Sequence, residues 1–149
     1  MSLSCVGLEN PKNNINIGNV MRAMGCFKSD LLAIKGNRFR KLGNIKTDTQ
    51  KTIRRLPVVR CSELKEVVPF ACVPIAVDLI EGAKPLISFH HPKNAFYIFG
   101  AEDATLGKGI TDWCKYTVYI PTNYCLNLAA AVNIVLYDRL LKEEKNGHI

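Results

Sequence analysis

Apolar residues along this chain come in short runs divided by turns rich in proline, asparagine and glycine. SCVGL (4–8), DLLAI (30–34), CVPIAVDLI (72–80), NAFYIFG (94–100) and KYTVYIP (115–121) carry β-branched and aromatic residues at strand length, and each predicts a strand. Elsewhere the period lengthens. In INIGNVMRAMGCF (15–27), Ile17, Val20, Met21 and Met24 share one helical face, which predicts a helix capped by Asn14 or Asn16. CSELKEVV (61–68) predicts a short helix capped by Ser62, residues 101–114 a loop with a short helix, and residues 127–144 a long final helix. Strands alternating with helices predict an α/β fold, a mainly parallel sheet flanked by helices. No repeat, low-complexity tract or convincing linker divides the sequence, so residues 1–149 are expected to form a single domain.

Charge adds a direction. The chain has 20 Lys and Arg against 13 Asp and Glu, a net charge of +7, and a pI near 9.2. The excess is local, because nine Lys or Arg stand from Lys35 to Arg60 beside one acid, Asp48. That favours an anionic partner, nucleic acid before membrane. No apolar run of about 18 residues exists, and MSLSCVGLENPKNN lacks a charged start followed by an apolar stretch, so a soluble, cytoplasmic protein with no membrane partner is expected. Cysteines 5, 26, 61, 72, 114 and 125 show no C-x-x-C pair or metal-ligand spacing and are expected as reduced thiols. His90 and His91 are adjacent, their side chains point apart, and no further ligand is spaced nearby, so no metal is expected.

In a parallel α/β sheet, the loops after the strands line the ligand crevice. Three polar loops qualify: residues 9–16, 100–109 and 121–127. None carries G-x-G-x-x-G or G-x-x-x-x-G-K-[ST], which disfavours a Rossmann dinucleotide site or a P-loop. The third loop is unusual, since YIPTNYCLNLAAAVNIVLYDRLL puts Thr122, Asn123, Cys125 and Asn127 at the mouth of an apolar helix that needs only one cap.

These loops carry a resemblance. NINIGNVMRAMG resembles N-x-G-x-x-x-R, the first motif of the SpoU (TrmH-type) RNA ribose methyltransferases of the SPOUT superfamily. YIFGAEDATLGKGI is similar to their second motif, and IPTNYCLNLAAAVNIVLYD to their third, in the same order and spacing across residues 8–138. The resemblance implies an α/β domain whose C-terminal segment forms a deep trefoil knot, with S-adenosyl-L-methionine as cofactor and an antiparallel homodimer sharing its active site. It implies methyl transfer to a ribose 2′-hydroxyl of RNA. Compact members without a separate RNA-binding domain, as here, point to tRNA.

By the same resemblance, Val77, Gly100, Ala101, Glu102, Ile120, Cys125 and Leu126 hold the cofactor, and Asn16, Arg22, Glu102 and Asn127 form the catalytic set. Methyl transfer from a sulfonium needs positioning and help with the hydroxyl proton. An arginine is a poor base, with a pKa above about 12, so clamping of a phosphate or oxyanion is the safer role for Arg22. Read singly, Asn127 is a helix cap, Arg22 a solvated helix residue and Glu102 a helix N-terminal charge. The basic stretch supplies an RNA grip in Arg38, Arg40, Lys41, Lys46, Lys51, Arg54 and Arg55, with Phe39 to pack on a base; the alternative is a solvated loop.

Two departures stand out. Cys125 replaces the serine of the family's S-L-N, exchanging a hydroxyl for a weak thiol donor, and Ala104 and Thr105 replace glycines of the second motif. They leave open a noncatalytic RNA-binding protein of the same fold; a base-directed RNA methyltransferase is the third reading.

Overall fold

The computed structural model describes residues 2–39 and 45–147. Among them, seven strands form one sheet: β1 (Leu3–Glu9), β2 (Leu31–Lys35), β3 (Val58–Cys61), β4 (Val73–Val77), β5 (Lys84–Pro85), β6 (Asn94–Phe99) and β7 (Tyr116–Tyr119). Their order is β3-β2-β1-β6-β4-β7-β5, and every pairing is parallel. Helices α1 (Asn14–Cys26), α2 (Lys108–Thr111) and α3 (Leu128–Lys145) complete the fold. The five expected strands are present. β3 and β5 are additional: Pro57 and Arg60 flank the short Val58-Val59 pair inside the basic segment, and β5 is two residues long.

Alternation along the strands sorts the core onto two faces. Val6, Leu8, Tyr97 and Phe99 point toward α1 and α3, where they meet Ile17, Met21, Val132 and Val135. Cys5, Phe96 and Ile98 point the other way, toward Leu64, Leu106 and Ile110. Gly7 is required on that second face, because a Cβ there would lie 2.7 Å from the Phe96 ring.

Three boundaries differ from expectation. The cap of α1 is Asn13, neither Asn14 nor Asn16; its side chain accepts the Asn16 N–H at 3.0 Å. Residues 61–68 yield only a 3-10 turn, Leu64–Val67, preceded by Glu63 without any side-chain cap, so Ser62 has no capping role. The strand expected over 72–80 ends at Val77, because Asp78 turns its carboxylate back to the Leu79 N–H at 2.8 Å.

α3 is pinned by polar groups as well as apolar ones. Arg139, 4% exposed, donates to the carbonyls of Pro92 (2.7 Å) and Lys93 (2.6 Å) and to Tyr97 Oη (3.2 Å). His91 bridges Tyr97 Oη (Nδ1, 2.7 Å) and Asp138 Oδ2 (Nε2, 2.8 Å). Lys142 Nζ caps the carbonyls of Leu86 and Phe89. Burial drives the His91 pKa down to about 4 despite Asp138. The ring is therefore neutral, with Nε2–H donating to Asp138 and Nδ1 accepting from the Tyr97 hydroxyl.

Candidate active site at the carboxyl edge of the sheet

β1 and β6 are neighbours whose chains leave in opposite directions, β1 through α1 to β2 and β6 through α2 to β7 beyond β4. Such a switch point opens a crevice at the carboxyl ends of the strands. Register fixes what surrounds it. Val77 pairs with Phe99 on one side and with Val118 on the other, so Val77, Gly100 and Ile120 reach one edge together. Asp78 ties two of these loops, accepting the Leu106 N–H at 2.6 Å. Gly100 lets the chain fold back, since a Cβ there would meet the Ala104 carbonyl at 3.1 Å. No residue from 100 to 109 has a positive φ, so Ala104 and Thr105 occupy the turn without backbone strain.

The three motifs converge on side chains. Asn16 Nδ2 donates to Glu102 Oε1, and Asn16 Oδ1 accepts from Asn127 Nδ2 at 3.4 Å. Glu102 Oε2 accepts the Lys12 N–H at 3.0 Å. Asn127 also caps α3, its Oδ1 accepting from Ala129 N–H at 2.9 Å and Ala130 N–H at 3.4 Å. The capping and the cross-loop contact use different atoms of one amide. Cys125 and Leu126 are exposed beside them, while Val77 is buried.

Arg22 is exposed and makes no hydrogen bond or ion pair with other described residues. It shares a helical stripe with Gly18 and Gly25. The missing side chains on that stripe admit the basic segment: a Cβ at Gly18 would run into Thr47 Oγ1 and lie 2.5 Å from Ile45, and one at Gly25 would lie 2.7 Å from Thr52. Asp48, 4% exposed, organises that segment by accepting the N–H groups of Thr52 (2.8 Å) and Ile53 (2.9 Å).

Of the expected RNA-contacting residues, Lys46, Lys51, Arg54 and Arg55 are exposed, and Arg40 and Lys41 lie outside the described residues. Arg38 is already engaged. It holds Asp103 through both terminal nitrogens (3.0 and 2.9 Å) and donates to the Asn10 carbonyl at 3.0 Å. That guanidinium keeps the Asp103 carboxyl below the usual carboxylate range. Phe39 is not a free stacking platform: it is 3% exposed, with the Arg60 guanidinium 4.4 Å from its ring centroid.

Residues 4–137 match the SpoU rRNA Methylase family. The chain belongs to that family. Its fold is similar to that of the SpoU methyltransferase AviRb from Streptomyces viridochromogenes, solved in complex with the cofactor AdoMet, with a TM-score of 0.83 and 22% identity over 97% of this chain. The A. aeolicus TrmH/SpoU tRNA modifying enzyme gives a TM-score of 0.84 at 18% identity, covering 97% of this chain and 77% of that one. A structure solved for insights into the 2-OH methylation of C/U34 on tRNA gives 0.83 at 19% identity, covering 97% of this chain and 98% of that one. This SpoU-family chain spans only 62% of the AviRb chain. No curated protein matches it.

Sequence reading passed over Asp78, Asp103 and the Arg139 network of this SpoU domain. Asp103 had a signal, an acid next to Glu102 in a chain whose excess is basic. Asp78 had none, because its loop partner lies 28 residues away. Among the described residues no group of three or more His, Cys, Asp or Glu is placed to hold a metal, and no helix is long and apolar enough to cross a membrane.

Proposed function

We propose that this chain transfers the methyl group of S-adenosyl-L-methionine to a ribose 2′-hydroxyl of RNA, with tRNA as substrate. The observation that carries the reading is the Asn16–Glu102–Asn127 junction, which joins all three motif loops at the switch point of a SpoU-family sheet. The edge formed by Val77, Gly100 and Ile120 suits the cofactor: an apolar floor at Val77 and Ile120, and a glycine that allows close backbone approach. When bound there, the cofactor supplies an electrophilic methyl on sulfur. Ala101, Cys125 and Leu126 complete that wall in this reading.

The chain's own residues position the acceptor. Glu102 has both oxygens occupied, by Asn16 and by the Lys12 N–H; its role is to fix the junction, while the Asn16 and Asn127 amides orient the ribose. Arg22, with its guanidinium uncommitted among the described residues, holds a phosphate or the developing oxyanion. Six residues along α1 from Asn16, it stands about 9 Å further down the axis and a third of a turn around. A site that needs both groups together draws Arg22 from a second subunit. The exposed stripe of Ile134, Tyr137 and Leu140 on α3, 37–57% exposed, supports an antiparallel homodimer, and the same reading includes the C-terminal trefoil knot. Lys46, Lys51, Arg54 and Arg55, held beside Arg22 by the Gly18 and Gly25 contacts, provide the phosphate grip.

The test is methyl-labelled S-adenosyl-L-methionine with separated tRNA and rRNA lacking the modification, followed by nucleoside analysis. Label in a 2′-O-methylnucleoside of tRNA, lost in Arg22→Ala, supports the reading. A base-methylated product, or cofactor binding without transfer to any RNA, overturns it.

A further inference from the structure

A cleft of about 560 Å³ opens over the carboxyl ends of β1, β2 and β6. It shares Gly100 and Ala101 with the proposed cofactor set and otherwise lies on the far side of the 100–107 loop, toward Glu9, Lys35 and Glu63. Its volume is that of a small-molecule pocket, within roughly 300–1,000 Å³.

Its charges decide what fits. The described lining carries three carboxylates, Glu9, Glu63 and Asp103, against two cations, Lys35 and Arg38. Both cations are matched already, Lys35 between Glu9 (2.9 Å) and Glu63 (3.0 Å), and Arg38 on Asp103 (2.9 Å). A phosphate entering here meets a net negative lining. A neutral ligand with hydrogen-bond donors is not repelled by it. Glu9 Oε2 has no partner among the described residues but is enclosed, whereas the Glu63 side chain, 57% exposed, presents its acceptors to the cleft. Lys35 and Arg38 each retain an N–H beyond those already used. The wall contributed by Gly107 and Gly109 is open, since a Cβ at either would meet nothing within 4 Å, so a flat ring can lie against it.

We propose that this cleft binds a guanine base of the RNA strand beside the target nucleotide. Guanine alone among the four RNA bases presents two adjacent donors, N1–H and the 2-amino group, next to an acceptor, O6. Glu63, joined through Lys35 to the enclosed Glu9, receives the donors on its carboxylate, and the remaining cationic N–H groups reach O6. Asp103, in the cleft lining, is one residue along the chain from Glu102 of the junction. The inference rests on the RNA methyltransferase reading above.

The experiment is titration of the whole protein, followed by backbone amide resonances, with the 5′-monophosphates of guanosine, adenosine, cytidine, uridine and inosine. All five carry the same phosphate, so differences report the base. Guanosine monophosphate is expected to shift the amides of Asn10, Gly36, Gly107 and Gly109 and to bind about five-fold or more tighter than the others, inosine monophosphate included because it lacks the 2-amino group. Glu63→Gln, a change at an exposed position, should bring it down to their level. Equal binding of all five, or shifts that spare these amides, overturns the proposal. S-adenosylhomocysteine titrated in parallel reads residues 120–126, and its failure to bind overturns the cofactor reading instead.

Discussion

Asn127 donates through Nδ2 to Oδ1 of Asn16 at 3.4 Å, joining residues 111 positions apart in sequence. The contact sets the orientation of the Asn16 amide, whose Nδ2 then faces Glu102. Neither asparagine is held this way by its own helix, so the junction exists only when the first and third motif loops are both folded.

Replacing Asn16 by Asp keeps the size and removes the donor. A carboxylate would then face Glu102, and the charge-assisted hydrogen bond, worth about 1.5–3 kcal/mol, becomes a repulsion. The expected result is a loss of methyl transfer of about a hundred-fold, with cofactor affinity changed less, because of the residues proposed to hold the cofactor only Glu102 bonds to Asn16. Transfer rates and S-adenosylhomocysteine titration on one preparation check both halves.

At Asn127 the structural and chemical roles can be separated. Asn127→Ala removes the cap from Ala129 and Ala130 and should cost about 1 kcal/mol of stability. Asn127→Ser restores a capping oxygen but has no group placed to reach Asn16. Denaturant unfolding should show Ser close to the parent and Ala below it, while methyl transfer falls in both. Recovery of transfer in the serine variant would reduce Asn127 to a cap.

Much of the fold was legible because strand runs and the α1 stripe follow simple periods, and the meeting of Asn16, Glu102 and Asn127 was legible because each sits in a motif. What sequence concealed is contact at a distance. Phe39 looked available to a base, yet Arg60 and the core enclose it. Arg38 looked like part of a phosphate grip, yet a carboxylate 65 residues away occupies it. Arg139, in a helix that also carries solvated charges, is buried by three acceptors contributed by residues 92–97. β3 escaped because four residues bounded by proline and charge show no period.

Gly18→Ala tests how the basic segment is anchored. In an exposed helix this change gains about 1 kcal/mol from helix propensity. Here the added Cβ collides with Thr47 and Ile45 and approaches the Asp48 amide at 3.1 Å. Overpacking of this kind typically costs about 1–3 kcal/mol, so destabilisation should win. The segment lifting from α1 should also weaken RNA binding more than cofactor binding. Denaturant midpoints and RNA gel-shift titrations measure the two effects, and a stabilised variant would show that the segment does not dock on this stripe.

Acid should loosen α3 through His91. Its pKa is about 4 in the fold against an ordinary 6.5, because burial, aided by the cations Lys142 and Arg139, outweighs the opposing pull of Asp138 and disfavours the imidazolium. A group whose folded pKa is depressed binds its proton more readily in the unfolded chain. The stability it contributes is thus complete above about pH 6.5 and drains away as pH falls toward 4, by roughly 3 kcal/mol. His91→Gln removes the titration while keeping a polar side chain beside Asp138 and Tyr97. Unfolding free energies measured from pH 7 to pH 4 should fall steeply in the parent and more gently in the variant. Parallel curves would mean that His91 titrates normally and that the network anchoring α3 does not depend on a neutral ring.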